Sequence, residues 1–134
     1  MRLWPSWTAT MANRLYVLDG HTPVPCDDPQ AWADFMTKMD ARRVRWTEHE
    51  LFKVSTVFLG LDHSFGDKGP PILFETMAFA DDSWTDLECA RYATWEDAEI
   101  GHGAIVRRML ARLRATSDWV RPTIAKIGGS ESTS

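Results

Sequence analysis

Three side chains have the types needed for metal binding or acid–base catalysis, namely His63, Glu75 and His102. Two imidazoles and a carboxylate can hold a divalent transition metal while leaving coordination positions open for water. The same groups can act as an acid and a base, because a half-buried glutamate and a nearby histidine shift each other's pKa. Their spacing matches no established metal or hydrolase motif. A structural interpretation is also open, in which a core histidine is hydrogen-bonded to a buried glutamate and fixes a helix against a sheet.

These three groups meet only if the elements that carry them pack together. His63 follows a predicted strand, Glu75 lies in the middle of the next strand, and His102 lies on the apolar stripe of a predicted helix. A helix packed across those two strands would bring the three side chains together, with Asp62 as a fourth member. Convergence is therefore an expectation that the fold must satisfy.

Hydrophobic spacing and capping residues predict two helices. Asp28 precedes a proline and an apolar i, i+3, i+4, i+7 stripe, which predicts a capped helix over 29–41. A second apolar stripe predicts a helix over 94 to about 115. Gly101 and Gly103 flank His102 and each lower helix stability by about 1 kcal/mol relative to alanine. We attribute their presence to a tight contact between this helix and the sheet.

Segments rich in β-branched and aromatic residues predict strands at 14–18, 43–47, 52–61, 72–80 and 88–93. The two longest are separated by a stretch dense in turn formers, so we expect them to pair antiparallel. The predicted class is α+β: an antiparallel sheet of about four to five strands with two amphipathic helices on one face, in the order β-α-β-β-β-α. This single domain is predicted over 13–127, between a flexible extension at 1–12 and a flexible tail at 128–134.

The predicted strands carry apolar residues on both faces, whereas the two helices cover one. We therefore expect the tail segments of the chain, a second copy or a partner on the reverse face. Seven tryptophans in 134 residues are also more than a small core holds easily, and half-exposed aromatics are typical of interfaces. The residues predicted to bind a partner are Trp46, Trp84, Asp81 and Asp82. Gly60 is predicted to mark either a β-bulge or a close backbone approach beneath the second helix.

Composition argues against several classes of function. A net charge of −4 and a pI near 5.5 disfavour direct nucleic-acid binding. No apolar run reaches the ~18 residues of a membrane span, so no membrane association is predicted. Cys26 and Cys89 form no CxxC or Cys/His cluster, which indicates free thiols in a reducing compartment rather than structural zinc. No phosphate-cradling glycine motif is present, and no cofactor is predicted.

Three segments carry a resemblance to a known group of proteins: YVLDGHTPVPCDD at 16–28, STVFLGLDHSFGDKGPPILFETMAF at 55–79 and RYATWEDAEIGH at 91–102. Together they resemble a family of small uncharacterised proteins encoded by tailed bacteriophages and prophages. The resemblance implies a phage origin and a location in the cytoplasm of the infected bacterial host. It implies no reaction, cofactor or catalytic residue.

These observations lead to three hypotheses of function. The first is a phage-encoded accessory protein that acts by protein–protein binding, with a host or defence protein as a candidate target. It is expected to bind a protein partner or to form a homodimer. The second is a small metal-dependent or acid–base enzyme that uses His63, Glu75 and His102. The third is a virion or assembly component. Binding is favoured over catalysis, and whether the chain is an enzyme stays open.

Overall fold

A computed structural model describes residues 14–64, 69–80 and 86–127, with side chains described up to residue 115. The predicted extension at 1–12, the predicted tail at 128–134 and the candidate residues Asp81, Asp82 and Trp84 lie outside the described residues. In chain order the elements are β1 (Tyr16–Asp19), β2 (Thr22–Pro25), α1 (Pro29–Met36), α2 (Met39–Arg42), β3 (Arg43–Glu48), β4 (Phe52–Phe58), β5 (Phe74–Ala80), β6 (Asp86–Tyr92) and α3 (Trp95–Ile127).

The centre of the fold is an antiparallel sheet in the order β3-β4-β5-β6, and α3 packs across all four strands. The predicted α+β class and the antiparallel pairing of the two long strands are confirmed. The strands alternate between a buried side and an accessible side because successive side chains point to opposite faces. On the side facing α3 the buried residues are Phe52, Val54, Thr56 and Phe58 of β4 and Phe74, Thr76 and Ala78 of β5.

The predicted element order is wrong: a second strand follows the first, two helices replace the predicted first helix, and four strands instead of three lie between these helices and the last helix. β1 and β2 form a two-stranded antiparallel hairpin in which Leu18 pairs with Pro23. No strand is predicted over 22–25, which contains two prolines. Proline lacks the N–H needed inside a sheet but is tolerated in an edge strand, which is the position of β2. The observed order is β-β-α-α-β-β-β-β-α.

The first predicted helix is shorter than 29–41. Its capped start is confirmed, since the Asp28 carboxylate accepts hydrogen bonds from the backbone N–H groups of Gln30 and Ala31 at 3.0 and 3.3 Å. The helix ends at Met36, and Lys38 leaves the helical conformation with φ −90° and ψ 78°. The short helix α2 then leads directly into β3.

Gly60 lies beneath α1 and not beneath the last helix as predicted. Its carbonyl accepts a hydrogen bond from the Trp32 indole Nε1–H at 2.8 Å. Its φ of +75° favours glycine, and a Cβ at this position would lie 3.1 Å from that indole nitrogen. The contact fixes α1 against the end of the sheet, where Phe35 packs edge-on against Phe58 with ring centroids 6.0 Å apart.

The last helix is longer than predicted and runs to Ile127 instead of about 115. The segment ARLRATSDW at 111–119 contains no glycine or proline, so nothing in it ends the helix after 115, and the helix continues through Pro122. The inner face of α3 contributes Ala98, Ile105 and Met109 to the core. No helix within the described part of the chain is both long and apolar enough to cross a membrane.

Candidate functional site

His102 is the polar residue at the centre of the contact between α3 and the sheet. Its side chain lies on the inner face of the helix and is 2% exposed. The ring Nδ1 lies 2.7 Å from Thr56 Oγ1 and the ring Nε2 lies 2.8 Å from Thr47 Oγ1. Thr56 Oγ1 in turn lies 2.5 Å from Thr76 Oγ1. One imidazole therefore links the helix to β3, β4 and β5.

The environment of His102 keeps its ring neutral. Burial lowers the pKa of His102 below its ordinary value of 6.5, and the positive charge of Arg45 lowers it further. Both ring nitrogens meet hydroxyls, which can donate or accept, so a neutral imidazole satisfies both bonds. In one of the two tautomers Nε2 accepts from the Thr47 hydroxyl while Nδ1–H donates to Thr56. That arrangement joins a hydroxyl, a base and a group that orients the base, which is the pattern of an activated nucleophile.

A cleft of about 390 Å³ opens beside this network, between β3 and α3. Thr47 and His102 form part of its wall, and Arg45 and Glu99 form an ion pair at 3.4 Å beside them. The remaining lining residues are Gly103, Val106 and Arg107. Thr47 is thus a partly exposed residue of the cleft wall, whereas Thr56 and Thr76 are fully buried in the core.

The structure does not bring His63, Glu75 and His102 together. Glu75 lies next to Thr76 in β5 and therefore points to the opposite side of the sheet from His102. Its carboxylate accepts a hydrogen bond from Arg91 Nε at 2.9 Å. His63 follows β4, and its Nδ1 lies 2.7 Å from the carbonyl oxygen of Leu61. The predicted convergence is wrong because the strand alternation around Glu75 places it on the far face.

No group of three or more His, Cys, Asp or Glu side chains in the described ranges is placed to hold a metal ion. Asp62, expected beside the trio, instead closes the loop between β4 and β5. It accepts hydrogen bonds from the backbone N–H groups of Ser64 and Ile72 at 2.8 and 3.0 Å. Burial acts to raise the pKa of Asp62, but these hydrogen bonds and the charge of Arg14 lower it below its usual value.

The side of the four-stranded sheet that faces away from α3, here called the open face, carries Trp46. This residue is 38% exposed. The Arg43 guanidinium lies 5.2 Å from the ring centroid, and Trp46 Nε1–H donates to Glu48 Oε1 at 3.3 Å. The indole is therefore held between a cation and an anion along the edge strand β3, while part of its surface stays accessible.

The central strands of the open face are only partly covered. None of their outward residues is buried: Lys53, Ser55 and Val57 in β4, and Glu75, Met77 and Phe79 in β5. No helix or strand within the described ranges has a core cluster on this side. Cys89 is largely exposed on this face. Partial burial of its thiol and the nearby Glu75 carboxylate raise the pKa of that thiol.

Comparison with known proteins gives no relative for this architecture. No protein-family model matches the chain, and no curated protein or solved structure matches it either.

Proposed function

We propose that the chain is a phage-encoded accessory protein that acts by protein–protein binding, and that the open face is its binding surface. One observation carries the proposal: α3 covers one side of the four-stranded sheet, while outward residues of the other side stay accessible. An antiparallel sheet can leave one side to water, but that side is then usually polar. Here Trp46, Val57, Met77 and Phe79 lie among the charged residues of that side.

The layout of the open face supports this proposal. Trp46, Ser55 and Met77 are neighbours on adjacent strands across the middle of the sheet, and the charged Lys53 and Glu75 lie on either side of them. Charged side chains occupy its corners, among them Arg43 and Arg91. An apolar centre inside a polar rim, with aromatic and arginine side chains enriched, is the general anatomy of a protein interface.

The phage source and the target class rest on the resemblance of 16–28, 55–79 and 91–102 to phage and prophage proteins. That resemblance supports a host or defence protein as the target. A role in the virion is the alternative that the same resemblance offers. Mass spectrometry of purified particles separates the two, since an accessory protein of the host cytoplasm is absent from them.

A matched pair of substitutions tests the binding function. Trp46→Ala removes the exposed aromatic of the open face, and Ile100→Ala removes a side chain that is 69% exposed on α3. We expect a specific partner, captured by the tagged protein and then reconstituted from purified components, to lose at least tenfold in affinity with Trp46→Ala. Ile100→Ala should leave that affinity unchanged. Equal affinity for both variants would place binding elsewhere and overturn the proposal.

The contact between Thr47 and His102 supports a second candidate, nucleophilic attack by the Thr47 hydroxyl on a small ester or related acyl compound in the cleft. The supporting observation is the 2.8 Å separation of Thr47 Oγ1 and His102 Nε2 at the cleft wall. Hydrolysis of a chromogenic acetyl ester tests it. We expect Thr47→Ser to keep any activity and Thr47→Val to abolish it. Activity that survives Thr47→Val, or its absence from the unaltered chain, removes this candidate.

A further inference from the structure

We infer that the partner seated on the open face is a second copy of this chain, packed face to face about a two-fold axis that runs across the strands. The inference rests on the proposed function, because it names the occupant of the same surface. It follows from the order in which charges are distributed over that surface.

The strand registers arrange the open face as three rows of four neighbours. The acid-ended row is Glu48, Lys53, Phe79 and Asp86. The middle row is Trp46, Ser55, Met77 and Cys89. The base-ended row is Arg43, Val57, Glu75 and Arg91. Each row crosses β3, β4, β5 and β6 in that order.

The corners of this grid carry opposite charges at its two ends. Glu48 and Asp86 are carboxylates at one end of the strands, and Arg43 and Arg91 are guanidinium groups at the other end. All four residues are exposed. Lys53 lies within the acid-ended row and Glu75 within the base-ended row, so the two rows keep opposite formal net charges. A surface with this polarity along the strands repels a copy laid on it in the same direction and attracts a copy turned end for end.

A two-fold axis along the middle row performs that reversal. Each strand then lies over the same strand of the second copy in the opposite direction, and the acid-ended row of one copy faces the base-ended row of the other. Glu48 meets Arg43 of the second copy, and Asp86 meets Arg91 of the second copy. That arginine also donates to Glu75 of its own chain at 2.9 Å. Two-fold symmetry repeats each contact, which gives four ion pairs at the corners.

The same two-fold rotation places each residue of the middle row opposite the same residue of the second copy. Trp46 faces Trp46 of the second copy and Met77 faces Met77 of the second copy, so the apolar middle row is covered by itself. The alternative axis, along the strands, would place Glu48 against Asp86 and Arg43 against Arg91. That arrangement sets like charges together, so electrostatic repulsion disfavours it.

The area of the open face determines how strong a dimer we expect. Seven-residue strands span about 24 Å and four strands about 19 Å, for a projected area of about 450 Å². Stable interfaces bury about 800 Å² on each partner, so this contact belongs to the weaker, concentration-dependent class. Face-to-face sheets lie about 10 Å apart, a separation that charged side chains at the corners can bridge.

Charge exchange between Glu48 and Arg43 tests the two-fold arrangement. Glu48→Arg alone places two arginines together at each affected corner, and Arg43→Glu alone places two glutamates together. We expect each single variant to sediment as a monomer at concentrations where the unaltered chain is a dimer. An equimolar mixture of the two should dimerise again, because each affected corner then pairs a glutamate with an arginine. Ile100→Ala serves as the unrelated surface control and should stay dimeric.

The possible results separate this inference from the proposed function. Monomeric single variants with a dimeric mixture support the inference. A wild-type chain that stays monomeric at millimolar concentration overturns it, while loss of another partner with Trp46→Ala would still uphold binding at the open face. A wild-type dimer that both single variants retain also overturns it. Circular dichroism of each variant establishes that a monomer is a folded one.

Discussion

At the scale of single residues, the central feature is the hydrogen-bonded network of His102 with Thr47, Thr56 and Thr76. A buried polar group costs free energy unless it is hydrogen-bonded, so these four residues must be placed together. The network explains a histidine on an apolar helix stripe without any metal or carboxylate. It also ties β3, β4 and β5 to α3 at a single point.

The two hydroxyls that meet the imidazole should differ in their contribution to stability. Thr56→Val leaves Nδ1 without a partner in a sealed core, and we expect it to lower the free energy of unfolding by about 1–3 kcal/mol. Thr47→Val also replaces a hydroxyl with a methyl group, but it does so at the cleft, where water can take the place of the lost hydroxyl. We therefore expect it to lower the free energy of unfolding by less than about 1 kcal/mol. Urea denaturation of both variants measures the difference. Equal losses would mean that the cleft does not admit water to Nε2.

The lowered pKa of His102 makes stability depend on pH. Between the folded-state pKa and 6.5 the unfolded chain binds more protons than the folded one at this residue. Its contribution is therefore complete above pH 6.5 and is lost as the pH falls below that value, with a slope of at most about 1.4 kcal/mol per pH unit. His102→Gln removes this titration. We expect its stability to fall less steeply than wild type between pH 6.5 and 5; parallel curves would contradict the assignment.

Residue types alone identified His102 as out of pattern but assigned it the wrong partners. Glu75 was an attractive partner because it is the carboxylate in the middle of a long apolar strand. Strand alternation excludes Glu75 as a partner of His102, because Thr76 points toward the helix and the adjacent Glu75 points away from it. The available signal was Thr56, a polar residue at an inward position between Val54 and Phe58, and it was missed because threonine is common on both faces of a strand.

At the scale of elements, the packing of α3 explains one of the two glycines beside His102 and not the other. A Cβ on Gly101 would overlap the ring of Tyr92, a half-buried residue of β6. A Cβ on Gly103 would meet only the end of the Arg107 side chain, 3.4 Å away. The expected tight contact between helix and sheet is therefore present at Gly101 alone.

This difference predicts opposite effects of the same substitution two residues apart. Gly103→Ala should raise the free energy of unfolding by up to about 1 kcal/mol, because alanine is the better helix former. Gly101→Ala should lower it by about 1–3 kcal/mol, because the aromatic ring must move from its packed position. Thermal denaturation of both variants tests this. Stabilisation by Gly101→Ala would show that the helix does not approach β6 so closely.

Strong periodic patterns and local caps predicted the elements well, whereas their ends depended on tertiary contacts. The start of α1 was set by Asp28 and was visible in the sequence. Its end at Met36 was not, because the stripe continues to Met39 while the chain turns there to enter β3. Likewise β2 contains two prolines and forms only because β1 offers it an edge.

At the scale of the whole molecule, α3 covers one side of the four-stranded sheet and leaves the other side available for binding. The sequence predicts two helices, which cover one face, and strands with apolar residues on both faces, so an uncovered side is expected. In the structure the outward residues of β4 and β5 are only partly buried. The polarity of that side could not be predicted, because it depends on the registers that align Glu48 with Asp86 and Arg43 with Arg91. Registers are fixed by packing, and a slip of one residue would reverse every side chain.

Hydroxyl-radical footprinting of the unaltered chain at low and high concentration tests the central claim most directly. The readout is the labelling of Trp46 and Met77 on the open face and of Ile100 on α3. We predict that labelling of Trp46 and Met77 falls as the concentration rises, while labelling of Ile100 stays constant. Unchanged labelling of Trp46 and Met77 at every concentration, or protection of Ile100 instead, would contradict self-association through the open face.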